Sequence, residues 1–180
     1  EYESKYPYHQ SGKMAAALRD AILSTDETLF ENACDVMVRF REFDLVSALI
    51  TLAEDRSHPH SNRATQLVLQ MVSQLVEMVH GKRDSNDRRD PTMIRSHVME
   101  SLERSVERFR THQRNELIEA FVILGGISCS LLRNILEDPH HVCYLTVVNT
   151  LSNSQSPGVV KLLLSFLGSE HPSLAILTVI

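Results

Sequence analysis

Apolar positions along the chain recur mainly at three- and four-residue spacing, the period of an amphipathic helix rather than of a strand. Met14, Leu18, Ala21 and Ile22 make the first stripe, after a polar, tyrosine-containing lead over 1–11. STDE then sets Ser24 three residues before Glu27, the spacing of a capping box, and predicts that Ser24 opens a second helix. The inward stripe of that helix reads Leu29, Ala33, Val36, Met37 and Phe40. A third helix follows on Leu45, Ala48, Leu49 and Leu52, and EDRSHP ends it.

Pro59 suits the first turn of the next helix, where its missing N–H breaks no intrahelical bond. That helix carries Ala64, Leu67, Val68, Met71, Leu75, Met78 and Val79 and stops at Gly81. The stretch 81–90 has no large apolar side chain and nearly balanced charge, which predicts a mobile loop. Asp90-Pro91 starts a long helix over 91–111, with Ile94, Val98, Leu102, Val106 and Phe109 facing in. Shorter helices are predicted at 115–125, 128–137, 140–152 and 157–168, and a last one from Pro172.

Part of this pattern is written twice. Leu131, Leu132, Leu145, Thr146 and Val147 recur 32 positions on as Leu163, Leu164, Leu177, Thr178 and Val179. The spacing pairs the helices as 26–41 with 44–55, 59–80 with 91–111, 115–125 with 128–137, and 140–152 with 157–168. One helical hairpin cannot bury its apolar faces alone, whereas stacked hairpins can, so a two-helix repeat of about this period predicts a solenoid. Equivalent leucines such as Leu131 and Leu145 are then expected in the core.

These junctions resemble those of the HEAT-repeat family, in which an LLxxL-like helix leads to an acidic residue, Pro, Val and Arg. Leu131, Leu132, Ile135, Asp138, Pro139 and Val142 follow the pattern, as do Pro59 and Arg63. Cys143 and Ala175 stand where the family has Arg, Asn62 stands for Val, and Pro172 is shifted by one. The resemblance implies an all-α, right-handed α-α superhelix of about four to five hairpins, spanning 12–180 as one domain. It also implies a non-catalytic scaffold that holds a protein partner on a helical face.

Composition narrows the chemistry. The net charge of −5 over 180 residues is not that of a chain built for nucleic acid or an anionic membrane. No apolar run is long enough for a membrane span. Cys34, Cys129 and Cys143 have no metal or redox spacing and read as reduced core residues, consistent with a cytoplasmic location. Among nine histidines, His58, His60, His140, His141 and His171 fall at helix starts and read as turn residues rather than metal ligands. Gly125-Gly126 lacks a phosphate-loop pattern, and Ser128 and Ser130 lack a nucleophile elbow. No catalytic residue, metal site or cofactor is expected.

The densest charged surface is the helix from 91, where Glu100 and Arg104 stand at i,i+4. If the second helix of each hairpin lines the binding face, the residues off the apolar stripes are Arg95, Arg104, Arg108, Arg133, Asn134 and Lys161. The alternative is a nucleic-acid-binding or HEAT-like glycosylase or lyase-type module. That reading calls for a clustered acid and aromatics in a groove, and the chain has no Trp, six Phe and four Tyr. The start at Glu1 and the end inside an apolar run read as an excised piece. Leu174, Leu177 and Ile180 would form an open end that a further hairpin or self-association covers.

Overall fold

The structure, a computed structural model, describes residues 8–80, 90–126 and 129–153. Every regular element among them is helical. The helices are α1 (Tyr8–Ile22), α2 (Glu27–Phe40), α3 (Val46–Glu54), α4 (Ser61–His80), α5 (Pro91–Glu107), α6 (Phe109–His112), α7 (Asn115–Gly125), α8 (Ser130–Glu137) and α9 (Tyr144–Asn153). A 3₁₀ turn over Phe43–Leu45 leads into α3. The helices expected at 157–168 and from Pro172, and most of the loop at 81–90, lie outside the described residues, as does the proposed open end at Leu174, Leu177 and Ile180.

Helix starts follow local hydrogen bonding. Asp90 caps α5 by accepting from the Thr92 amide at 2.9 Å with Pro91 in the first turn, as the sequence predicts. At α2 the prediction needs correction. The cap is Asp26, whose carboxylate accepts from the Leu29 amide at 2.9 Å, while the Ser24 hydroxyl accepts from the Asp26 amide at 3.1 Å. Asp26 stands immediately before the first helical residue, so its carboxylate reaches the free amides that Ser24 leaves to it. Two later starts are also delayed. Pro59 precedes α4 by a turn rather than opening it, and His140–Cys143 form a turn before α9.

The predicted helix over 91–111 is divided. α5 ends at Glu107, α6 adds one turn, and Gln113 stops it with φ 50°. Buried His112 folds back at this break: its Nε2 donates to the Ser105 carbonyl at 2.9 Å, and its Nδ1 accepts from the Arg114 amide at 3.0 Å. One imidazole ring thereby satisfies two backbone groups that a helix break exposes.

α7 is the centre of the molecule. Leu117, Ile118 and every residue from Ala120 to Gly125 are buried, because α4, α5 and α9 cover it on different sides. α3 is apolar on most sides and is covered by α1, α4 and α5. α1 packs on α2, α3 on α4, α5 on α7, and α8 on α9. Of the expected pairs, α4 with α5 is in contact, α2 with α3 and α7 with α8 are not principal contacts, and the partner expected for α9 at 157–168 lies outside the described residues. Spacing counts helices but does not say which short connection closes a hairpin and which leads to the next one.

Several predicted core positions face water. On α2 the buried residues are Phe30, Ala33, Cys34 and Met37, whereas Leu29 and Phe40 are exposed. Met14 is exposed as well. Leu145, expected in the core, is 71% exposed, and Val142 is also exposed; Cys143, Tyr144, Val147 and Leu151 supply the buried side. Leu131 is only partly buried, beside buried Leu132, Ile135 and Leu136. The apolar arcs of α2 and α9 are broader than the cores they meet, so the spacing alone leaves the inward direction open.

Candidate partner-binding face

The arginines singled out from the sequence have different surroundings. Arg95, on α5, donates from one guanidinium nitrogen to the carbonyls of Leu124 and Gly125, both at 2.7 Å. It caps the C-terminus of α7, where the chain turns through Gly126 at φ 63°. A side chain at Gly125 would bring its Cβ to 3.2 Å from the Met99 methyl group, so this close crossing of α5 and α7 requires glycine or a shift of Met99.

Arg108 makes a two-pronged ion pair with Glu54 at the end of α3, Nε to Oε2 at 3.1 Å and a terminal nitrogen to Oε1 at 2.9 Å. Arg104, also on α5, is about half exposed. It meets Glu100 at 3.3 Å and donates to the Ser101 hydroxyl at 3.4 Å. Arg133 and Asn134 are exposed on α8. Lys161 lies outside the described residues.

A half-open cleft of about 250 Å³ lies between the 3₁₀ turn with the start of α3 and the outer side of α5. Phe43 and Val98, both nearly fully buried, give it an apolar floor, and Asp44, Glu100 and Arg104 stand among its polar lining. Of the predicted site residues that are described, Arg104 alone lines it. The accessible surface of this cleft is more polar than apolar and carries both signs of charge.

A polar junction that sequence reading missed joins α3, α4 and the α6–α7 turn. Arg114 donates to the Ala53 carbonyl at 3.1 Å, the Asn62 side-chain oxygen at 2.7 Å and the Ser61 hydroxyl at 2.9 Å. Arg56 reaches back to the carbonyls of His112 at 2.7 Å and Gln113 at 3.2 Å. Glu54 and Arg108 complete it. The only signal in the sequence was an excess of arginine near helix ends, where free carbonyls collect.

Ser105, His112 and Glu54 come together here, yet not in the order of a hydrolytic triad. The Ser105 hydroxyl, at 3.3 Å, and the Glu54 carboxylate, at 4.0 Å, both approach Nε2 of His112. Nδ1, where an orienting acid would bond, is occupied by the Arg114 amide. Ser105 and His112 are themselves buried.

Of the histidines expected at helix starts, His58 and His141 hold turns, and His171 lies outside the described residues. Nδ1 of His58 accepts from the His60 amide, and Nδ1 of His141 from the Cys143 amide. His60 stacks on Phe30 with ring centres 4.4 Å apart, and its Nε2 lies 3.2 Å from the Thr25 carbonyl. Among the described residues no three His, Cys, Asp or Glu side chains are grouped to hold a metal ion.

All three cysteines are buried and reduced. Burial pushes the Cys34 thiol up to about 12, with the Glu31 carboxylate adding to it. Burial pushes Cys143 up to about 11. Cys129 is raised by burial and by Glu103, against the opposing Leu132 amide that its sulfur accepts at 3.4 Å. None of these environments favours the nucleophilic thiolate at neutral pH.

No single described helix is long and apolar enough to cross a membrane. Comparison with protein families, curated proteins and solved structures finds no significant match to this chain.

Proposed function

We propose that this chain is a HEAT-like α-solenoid acting as a non-catalytic scaffold, with a protein partner held along α5 beside the start of α3 and reaching Arg133 and Asn134 on α8. Contacts of α3 with α1 and α5, and of α7 with α4 and α9, suit two parallel rows of stacked helices. In this arrangement the hairpins are α1–α2, α3–α4, α5–α7 and α8–α9. Arg95, Arg104, Arg133 and Asn134 then fall on first helices rather than second ones, and Arg108 just past the end of α5.

The observation that carries the functional reading is the cleft beside Arg104, with Phe43 and Val98 beneath it and Asp44 and Glu100 at its edge. A polar lining of mixed charge suits a protein segment better than a polyanion. Arg95, Arg56 and Arg114 are spent on backbone carbonyls of the chain itself, and Arg108 on Glu54, which leaves Arg104 and Arg133, among the described residues of the predicted site, as the cations free of such long-range ties.

A photo-crosslinking side chain at His97, exposed beside the cleft, tests this in cells that make the protein. The expected result is a discrete protein adduct that disappears when Arg104→Glu and Arg133→Glu are added, with the circular dichroism and melting temperature of the scaffold unchanged. An adduct pattern unaffected by both reversals, or adducts to nucleic acid alone, would overturn the reading.

A further inference from the structure

Three histidines occupy the same place in three junctions. His58, His112 and His141 each stand three residues before the first residue of a helix: Ser61 of α4, Asn115 of α7 and Tyr144 of α9. In each, Nδ1 accepts from the amide two residues on, that of His60 at 3.3 Å, Arg114 at 3.0 Å and Cys143 at 3.1 Å. Two of the junctions repeat further bonds. The Asp55 and Asp138 carbonyls accept from the His58 and His141 amides, and the carbonyls of these histidines accept from the Ser61 and Tyr144 amides. Asp-x-x-His is the shared sequence, at 55–58 and 138–141, and Phe109 stands in place of Asp before His112.

The three junctions lie along one edge of the molecule. α4 packs on α7 and α7 on α9, and the starts of these helices are tied sideways. Arg114, just before α7, donates to the Asn62 side-chain oxygen and the Ser61 hydroxyl at the start of α4. The Thr146 hydroxyl, in the first turn of α9, donates to the Asn115 side-chain oxygen at 3.4 Å.

A ring nitrogen that accepts a hydrogen bond carries no proton, whereas an imidazolium carries one on both nitrogens. Protonation would therefore set Nδ1–H against the amide N–H that each ring now receives. The positive ends of the three helices oppose a cation at the same place. At His58 the other nitrogen, Nε2, is buried with no hydrogen-bond partner among the described residues, and the ring faces that of His60. Asp55, beside it, gives its Oδ1 to the Ser57 amide and hydroxyl. At His112, α3 supplies Glu54, 4.0 Å from Nε2 and held by two bonds from Arg108, while Arg56 and Arg114 bring two more guanidinium groups to the turn. Beside His141 the Asp138 carboxylate takes the His140 amide, and the Cys143 thiol lies 3.8 Å from the Val106 carbonyl. The carboxylates are thus engaged elsewhere, and the contested position is Nδ1.

We propose that this edge is an acid-sensitive latch: His58, His112 and His141 hold the starts of α4, α7 and α9 while their Nδ1 atoms are unprotonated, and acidification releases the three turns together. The direction follows from proton linkage. Below about 6.5, the ordinary value of a free histidine, the opened turns take up protons that the closed turns refuse, so the latch is complete above that value and fails below it. It stands independently of the reading proposed for the cleft beside Arg104.

Amide exchange and thermal unfolding of the 180-residue chain, from about pH 7.5 to about pH 5.5, test the latch above the carboxylate range. The His60, Arg114 and Cys143 amides, corrected for intrinsic exchange, should open about tenfold more often one unit below the ordinary histidine value. Amides inside α3 should not, and the melting temperature should fall across the window. Asn in place of each histidine offers an uncharged oxygen to the amide two residues on, the bond that Asp55 and Asp138 already make in these turns. His58→Asn, His112→Asn and His141→Asn combined should make the melting temperature level across the window. Because His112 is buried, the double variant His58→Asn, His141→Asn is measured beside it and should lose acid sensitivity at the His60 and Cys143 amides alone. His140→Asn, an exposed neighbour in the same turn as His141, should leave the acid response intact. A melting temperature level in the unaltered chain, or a double variant whose His60 and Cys143 amides stay as acid-sensitive as before, would overturn the proposal. So would an acid response that His140→Asn removes.

Discussion

α7 and α2 are helices of comparable length, 11 and 14 residues, each with more apolar side chains than one packing face needs, and the molecule treats them in opposite ways. α7 lies between α4, α5 and α9, and its apolar residues are all buried. α2 packs chiefly on α1, buries one sector and leaves Leu29 and Phe40 in solvent. The number of neighbours, not the apolar content of the helix, decides how much of it is covered. Two phenylalanines make the sharpest test. In dilute solution Phe121→Ala, at a fully buried residue of α7, should cost about 3–5 kcal/mol, whereas Phe40→Ala should stay within about 0.5 kcal/mol. Urea unfolding of the two variants measures both values, and similar losses would break the contrast between the regions.

The same contrast explains what was legible in the sequence. Helical content, the helix over 115–125 and the Asp90-Pro91 start were readable, because periodicity and capping are local. The inward stripe of α2 was misread as including Leu29, Val36 and Phe40, because a broad apolar arc has two defensible centres and only the neighbours choose. Leu145 was misplaced similarly, with Val147 and Leu151 on the buried side of α9. Of the candidate site, Arg104 was visible as a member of a charged helix. The engagements of Arg95 and Arg108 were not, since their partners Gly125 and Glu54 are distant in sequence and meet them only through helix packing.

The junction around Arg114 belongs to the well-covered region and should behave accordingly. Arg114→Met keeps an apolar stem but removes the donor to the Ala53 carbonyl, Asn62 and the buried Ser61 hydroxyl. Leaving such partly buried acceptors without a partner should cost about 1–3 kcal/mol. The loss should appear in urea unfolding, together with faster amide exchange at the end of α3 and the start of α4. A stability change within experimental error would mean that water replaces the guanidinium there.

Alkaline titration probes the buried sector of α2 itself. The ordinary thiol value is 9.0, and Cys34 is pushed up to about 12, first by burial and then by Glu31. Above pH 9 the unfolded chain releases this proton and the folded chain keeps it, so the stability contribution is complete below the ordinary value and declines as pH rises towards about 12. In Cys34→Ala that decline should be shallower by about 1.4 kcal/mol per pH unit in this window. Unfolding curves at neutral pH and one to two units above the ordinary thiol value measure the difference. Parallel declines in the two proteins would place Cys34 in water and undo the assignment of the inward sector.

The smallest effect belongs to Arg104, and it sharpens the comparison by setting one arginine against another. Arg114 lies partly buried among acceptors of the backbone and of two side chains, whereas Arg104 is about half exposed and its main partner, Glu100, is more exposed still. Exposed i,i+4 pairs with Glu on the N-terminal side stabilise a helix by about 0.3–0.5 kcal/mol, and salt screens them. Arg104→Ala should therefore shift the urea midpoint hardly at all, and the shift should vanish in high salt. If the cleft binds a partner, this variant loses adducts at His97 while its stability is retained, a separation that Arg114→Met does not produce. If Arg104→Ala destabilises the chain as strongly as Arg114→Met, then Arg104 serves the packing of α5 and is no longer available as an outward-facing contact of the scaffold.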